Sequence, residues 1–271
     1  MRSYSIIIAA HNEADNIANC LNSLVNQNYP KDQYEIIVAA DRCEDNTVEV
    51  VNKFRPEFNH LHVIEVWNPP TGVSPKKFAI NQALQHAQYE YFLFLDADVV
   101  PTKNHIRTMN QYFEKQIAAV ISLMKFYPPK SFWQNFLVYE KLVSWCIAGA
   151  GVGFNRPIIS YGGNWGYTKS AFNKVSGFEN IRFSLSGDDD LLLQQMGKMK
   201  LPISFCLARE GWIRMEPPKS LSQFIRQRRR HFSAGKTYRF YLQGGYFLYH
   251  ATNLALWLAW IFYLPAILLL I

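Results

Sequence analysis

The sequence predicts an α/β fold: an open, mainly parallel sheet, followed by a basic helix suited to an interface and an apolar C-terminal segment. Three observations carry this. Short apolar runs such as YSIIIAA at 4–10, YEIIVAA at 34–40 and YFLFL at 91–95 lack polar alternation and read as strands buried on both faces. Helix-period segments separate them, and repeated strand–helix–strand units with right-handed crossovers build a parallel sheet. Charge is segregated at the far end: LSQFIRQRRRHFSAGKTYR at 221–239 is intensely basic, and no Asp, Glu, Lys or Arg lies between Phe240 and Ile271.

The elements follow in order. After YSIIIAA comes a helix whose Ile17, Leu21, Leu24 and Val25 share one face. YEIIVAA leads into a helical NTVEVVNKF at 46–54, and LHVIEVW at 61–67 is the third strand. PKKFAINQALQHA at 75–87 opens with Pro75, which suits a first helical turn. YFLFL is the fourth strand, a helix near 102–116 follows, and AAVISLM at 118–124 reads as a further strand.

Beyond residue 125 the pattern loosens. SFWQNFLVYEKLVSWCIAGAGVGF at 131–154 is long, apolar and helical, but Glu140 and Lys141 interrupt it and argue against a membrane span. Its terminal GAGVGF does not sit between a strand and a helix of a βαβ unit, so it reads as a loop and not as a dinucleotide fingerprint. YGGNWGYTKSAF at 161–172 reads as a Gly-rich, substrate-lining loop. SGDDDLLLQQ opens a helical run with three aspartates, where capping and the helix dipole explain one or two.

The 271 residues allow one large domain or two small ones, and 49% hydrophobic content supports a sizeable core. A net charge of +7 suits an anionic partner. The arginines cluster beside an apolar segment, which favours an anionic membrane over nucleic acid. None of the four cysteines has CxxC spacing, so they read as reduced, cytosolic thiols, and the seven scattered histidines speak against zinc. FLYHATNLALWLAWIFYLPAILLLI at 247–271 would run roughly 37 Å as a helix, against a bilayer core of about 30 Å. The basic run before it places residues 1–239 in the cytoplasm by the positive-inside rule, at the inner membrane. The sequence stops among apolar residues, so truncation is the expectation.

Asp96 and Asp98 follow the fourth strand. Side chains two apart on an extended chain point the same way, and two close carboxylates repel unless a cation joins them. Hard ions such as Mg2+ or Mn2+ take one or two carboxylates plus substrate phosphates. An isolated DxD is short and common and by itself reads more readily as a turn in which one Asp caps the next helix. The residues past the other strand ends, His11-Asn12-Glu13, Asp41-Arg42 and Asn68, favour the metal. They gather on the carboxyl ledge where open sheets bind ligands.

SIIIAAHNEADNI, VAADRCEDNT, SPKKFAINQAL, LDADVVP, SGDDDLLL and QRRRH resemble, in this order, the inverting nucleotide-sugar glycosyltransferases of family 2. The likeness is closest to the membrane-associated branch of cellulose, chitin and hyaluronan synthases and runs over roughly residues 4–235. It implies a Rossmann-like catalytic domain of the glycosyltransferase A type. Residues 1–125 would bind the nucleotide sugar, and 126–220 would bind acceptor and carry the catalytic base. Residues 221–240 would form the interface helix, and 241–271 the transmembrane helix.

By the same resemblance, His11 would lie against the base, Glu13 belongs to the nucleoside segment, and Asp41 would contact base or ribose. Lys76 would stand near the diphosphate, with Asn81 structural. Asp96 would approach ribose or metal, and Asp98 would bind Mg2+ or Mn2+ directly. Asp45 reads as a helix cap. Read against a GDD pattern Asp189 is the general base, and against an ED-x-DL pattern it is Asp188; Asp189 is the first choice. Gln227 and Arg230 fall in register with QxxRW, where His231 replaces the Trp that helps hold a growing polymer. That departure turns the expectation from a processive polysaccharide synthase, the alternative, towards a single transfer to a lipid or lipid-linked saccharide. A UDP-sugar is the expected donor. A non-catalytic nucleotide-binding scaffold is disfavoured because every expected acidic position is filled. Nucleotidyl transfer is disfavoured because AAHNEADN has no phosphate-loop glycine.

Overall fold

The computed structural model describes residues 1–114, 116–235, 238 and 240–268; at 230–234, 241, 253, 256, 257 and from 260 onward it describes backbone alone. The first half runs β1 (Tyr4–Ala10), α1 (Ile17–Val25), β2 (Tyr34–Asp41), α2 (Thr47–Asn52), β3 (Leu61–Val66), α3 (Pro75–His86), β4 (Tyr91–Asp96), β5 (Val99–Pro101) and α4 (His105–Tyr112). The second runs β6 (Ala119–Ile121), β7 (Met124–Phe126), α5 (Phe132–Gly153), β8 (Asn164–Thr168), α6 (Lys169–Lys174), α7 (Asp190–Lys198), β9 (Ile203–Phe205), β10 (Ile213–Met215), α8 (Leu221–Gly235) and α9 (Phe240–Leu268).

The main sheet has the order β3-β2-β1-β4-β8-β6-β9, and a small sheet has the order β5-β10-β7. β1 pairs in parallel with both β2 and β4, as β2 does with β3. Every residue of β2 is buried, as expected of a strand covered on both faces. α3 packs Ala79, Ile80 and Ala83 into the core from one side.

Four features differ from the sequence reading. The segment 161–172 is not a loop from end to end: β8 runs through it, antiparallel to β4 and β6, with all five residues buried. Tyr167 stacks on Phe94 at 4.5 Å and on Phe172 at 5.5 Å, so aromatic burial outweighs the glycines. Gly166 allows this, because a Cβ there would stand 2.5 Å from the Phe92 carbonyl oxygen. GAGVGF is not a loop either: it completes α5 up to Gly153, with its small residues packed against Phe205 and the Arg156 carbonyl. AAVISLM is two strands in two sheets. At the break, Ser122 donates its N–H to the Asn164 carbonyl and its hydroxyl to the Gly211 carbonyl. Finally β5, β9 and β10 are three residues each, too short to show a period.

Among the described residues, α5 is the helix long and apolar enough to cross a membrane by length and composition. It is nonetheless fastened along the domain through buried Leu137 and Ala148 and through Trp145, whose ring lies 5.3 Å from Phe205 and 5.6 Å from Trp212.

Candidate active site

Three neighbouring parallel strands turn the same way at their carboxyl ends. Asn12, Arg42 and Asn68, just past β1, β2 and β3, all take left-handed conformations with φ of 56°, 49° and 56°. Asn tolerates this region; for Arg it is uncommon. The turns set out the ledge. His11 Nδ1 lies 2.6 Å from the Asp41 carbonyl oxygen. The Asp41 carboxylate accepts from Arg42 Nε at 2.8 Å and Nη2 at 3.1 Å. Asp45 accepts from the backbone N–H groups of Ala14 and Thr47, tying the first two ledge loops together and serving the start of α2.

The fourth strand brings the acidic pair. Asp98 stands exposed at the ledge beside Asp96 and Glu13; partial loss of solvent around its carboxyl first, then these two negative neighbours, pushes it up to about 6. Burial likewise raises Glu13, against a hydrogen bond from Asn16. Lys76, in the first turn of α3, reaches Asp96 Oδ1 at 3.2 Å and Asp188 Oδ2 at 3.2 Å. Gly163 makes room for Asp96, since a Cβ there would overlap the Asp96 carboxylate. Gly162 lies under Asp188 and Asp189, whose Oδ2 atoms would be 3.4 and 3.2 Å from its Cβ.

The three consecutive aspartates have three different environments. Burial alone would raise Asp188, but the charges of Lys76 and Lys77 outweigh it and hold the carboxyl below its ordinary value. Asp189 is driven well above that value by burial and by repulsion from Asp190 and Asp188, while its Oδ1 caps α7 by accepting from Asp190 N at 2.7 Å. Asp190 is pushed by burial to about 6, although its oxygens accept from Ser160 N at 2.8 Å and Tyr238 Oη at 2.5 Å.

Lys76, Asp96, Asp188, Asp189 and Gln227, all singled out from sequence, line one cavity of about 230 Å³. His11 and Asp41 stand further along the ledge, and Arg230 has its side chain outside the described residues. On another side the cavity is closed by α5 and α8. Phe224 meets Trp133 edge-on at 5.0 Å, and Arg228 pairs with Glu140. Lys141 projects between the faces of Tyr161 and Phe126, 5.0 and 5.4 Å from the ring centres. Glu140 and Lys141 entered the sequence reading only as interruptions of an apolar helix. A charged pair on one long apolar helix was the available signal, but its partners lie on other elements: Arg228 on α8, Phe126 on β7 and Tyr161 ahead of β8.

Among the described residues, no group of three or more His, Cys, Asp and Glu could by itself hold a metal. The residues fit a hard divalent ion of another kind. Asp98 and Asp96 form a mutually repelling carboxylate pair, and such an ion completes its shell with phosphate and water.

The architecture is that of solved glycosyltransferases. The mannosyltransferase PcManGT from Pyrobaculum calidifontis, solved in complex with GDP-Man and Mn2+, matches with a TM-score of 0.65 at 21% identity, covering 88% of this chain and 66% of PcManGT. The family model Glycosyl transferase family 2 matches residues 5–176, and the model Glycosyl transferase family group 2 matches residues 91–271. The chain belongs to glycosyl transferase family 2. The probable glycosyltransferase YdaM of Bacillus subtilis is 27% identical over 232 residues, 83% of this chain and 53% of YdaM. The poly(ribitol-phosphate) beta-glucosyltransferase of Bacillus spizizenii is 37% identical over 94 residues, 35% of this chain and 14% of that enzyme. The chain thus spans about half or less of these curated relatives.

Proposed function

We propose that this chain transfers a sugar, with inversion, from a nucleoside diphosphate sugar to an acceptor hydroxyl at the cytoplasmic face of a membrane. The carrying observation is the position of Lys76, bonded at once to Asp96 of the donor ledge and to Asp188 of the base segment. One cation therefore faces both halves of a displacement reaction. Residues 1–125 act as the donor half and 126–220 as the acceptor half.

His11, Glu13 and Asp41 receive the nucleoside along the ledge. Lys76 offers a fixed positive charge to the diphosphate as its bond to the sugar breaks. Mg2+ or Mn2+ on Asp98 and Asp96, when bound, neutralises charge on the departing group; the Mn2+ in the PcManGT complex supports this choice. Asp189 takes the proton of the acceptor hydroxyl while that oxygen bonds to the anomeric carbon from the opposite side. Geometry favours this role over Asp188, which is paired with Lys76 at 3.2 Å; burial, then repulsion from Asp190 and Asp188, raises the Asp189 carboxyl. Gln227 closes the cavity from α8, and Arg230 follows one turn on in the same helix.

The membrane side is α8 and α9. Leu221 and Ile225 are exposed together with Arg226 and Arg229, a mixed apolar and basic surface suited to anionic lipid. A site beside such a surface suits a lipid or lipid-linked saccharide acceptor, and a UDP-sugar is the first donor to try. The test is a screen of nucleotide sugars with the natural full-length protein, Mn2+ or Mg2+, and membrane extract as acceptor, following nucleotide release. Metal-dependent release with one donor is expected. No turnover of any donor would overturn the reading.

A further inference from the structure

The segment before the aspartates, residues 182–187, has no apolar anchor of its own. Its two large apolar side chains are largely exposed, Phe183 at 64% and Leu185, at the edge of the cavity, at 69%. What faces the protein is backbone carbonyl. Against these lies Lys77, 1% exposed, whose ammonium donates to Ser184 O at 2.5 Å and Ser186 O at 2.8 Å. Ser184 Oγ donates to the same Ser186 carbonyl at 2.8 Å. Ser74, just ahead of α3, adds its N–H to Arg182 O at 2.9 Å and its hydroxyl to Leu185 O at 3.3 Å. The start of α3 is therefore stitched to the chain leading into Asp188 and Asp189.

An ammonium is a costly group to bury. Burial brings the Lys77 pKa down to about 8, against the favourable charges of Asp188 and Asp189. An apolar side chain would fill the same space without that penalty but could not hold carbonyls. We infer that Lys77 is a positioning residue: its ammonium clamps the 184 and 186 carbonyls and so fixes the carboxylates of Asp188 and Asp189 relative to Lys76, its neighbour in the chain. Donor-contacting Lys76 and loop-clamping Lys77 share one helical turn, so the distance from diphosphate to base is set by a single rigid element. The inference rests on the reading that this segment carries the base.

The test compares Lys77→Met, Lys77→Arg and the milder Ser184→Ala in the natural full-length protein. Hydrogen exchange over 182–190 should quicken at least about tenfold in Lys77→Met, and by less in Ser184→Ala, with β1–β4 unchanged. Binding of Mn2+ with UDP or GDP should stay as in the parent. With the donor found in the screen, kcat should fall about tenfold to hundredfold at unchanged donor KM, and Lys77→Arg should recover part of it. A merely structural lysine would leave kcat per folded molecule unchanged. Should Lys77→Met fail to fold, the other two variants decide by the same readouts. Unaltered exchange over 182–190, or a rise in donor KM at constant kcat, in the folded variants would overturn the clamp. Failure of the base reading is distinguishable: Asp188→Asn and Asp189→Asn would both retain turnover while the exchange result stood.

Discussion

Lys76 Nζ stands 3.2 Å from Asp188 Oδ2, which joins the first turn of α3 to the entrance of α7 across the mouth of the cavity. Removing the charge with Lys76→Met should lower turnover by roughly a hundredfold to a thousandfold, the range for losing a group that stabilises developing charge. It should also release Asp188 from its partner and raise that carboxyl. Steady-state kinetics and NMR titration of the aspartates check both.

Asp189 and Asp188 should differ on substitution. Asp189→Asn should reduce sugar transfer about a hundredfold to ten-thousandfold while nucleotide and Mn2+ still bind. Asp188→Asn should reduce transfer less, since Lys76 keeps Asp96 as its partner. Transfer by Asp189→Asn at near the parent rate would move the base to Asp188.

Metal affinity should depend on pH through Asp98. Its surroundings push its carboxyl up to about 6, above its ordinary value, so the proton is half off at that pH and fully off only at higher pH. Below it, a cation must displace the proton. Mn2+ affinity with UDP or GDP should level off from about one unit above that value and fall as pH drops below it, by up to about tenfold per unit. Calorimetry at pH 7.5 and 5.5 reads this directly; equal affinities would exclude Asp98 as the ligand.

Two glycines make a matched pair. A methyl at Gly163 collides with Asp96 and Met124, whereas a methyl at Gly153 meets nothing within 4 Å. Gly163→Ala should cost about 1–3 kcal/mol in urea denaturation and weaken Mn2+–nucleotide binding, with Gly153→Ala altering neither.

The exposed arginines of α8 should govern lipid attachment. Replacing Arg226 and Arg229 by Gln should reduce binding to anionic vesicles by roughly fivefold each and spare turnover in detergent. Vesicle sedimentation checks it, and unchanged binding would remove the lipid role.

Much of the first half was legible because its strands are long, apolar and separated by helices of clear period. β1, β2, β3, β4 and α3 lie where the apolar runs and Pro75 place them. The second half was not, because its strands are held by partners rather than by pattern. β8 lies in a glycine-rich segment and becomes a strand through Phe94 and Phe172; β9 and β10 take their pairing from β6 and β7. For the cavity, motif order brought Lys76, Asp96, Asp188, Asp189 and Gln227 into view. Lys77 and Lys141 escaped, since burial of a lysine is a property of the surrounding loops and rings, invisible in its neighbours along the chain.

The ladder between β4 and β8 sets Leu95 opposite Asn164, which leaves Gly163 facing Asp96. A slip of one rung would present the Asn164 side chain to that carboxylate and fill the gap. Strand alignment deep in the interior thus acts as the gauge for the aperture above it: whatever disturbs the pairing narrows the doorway before it loosens the walls.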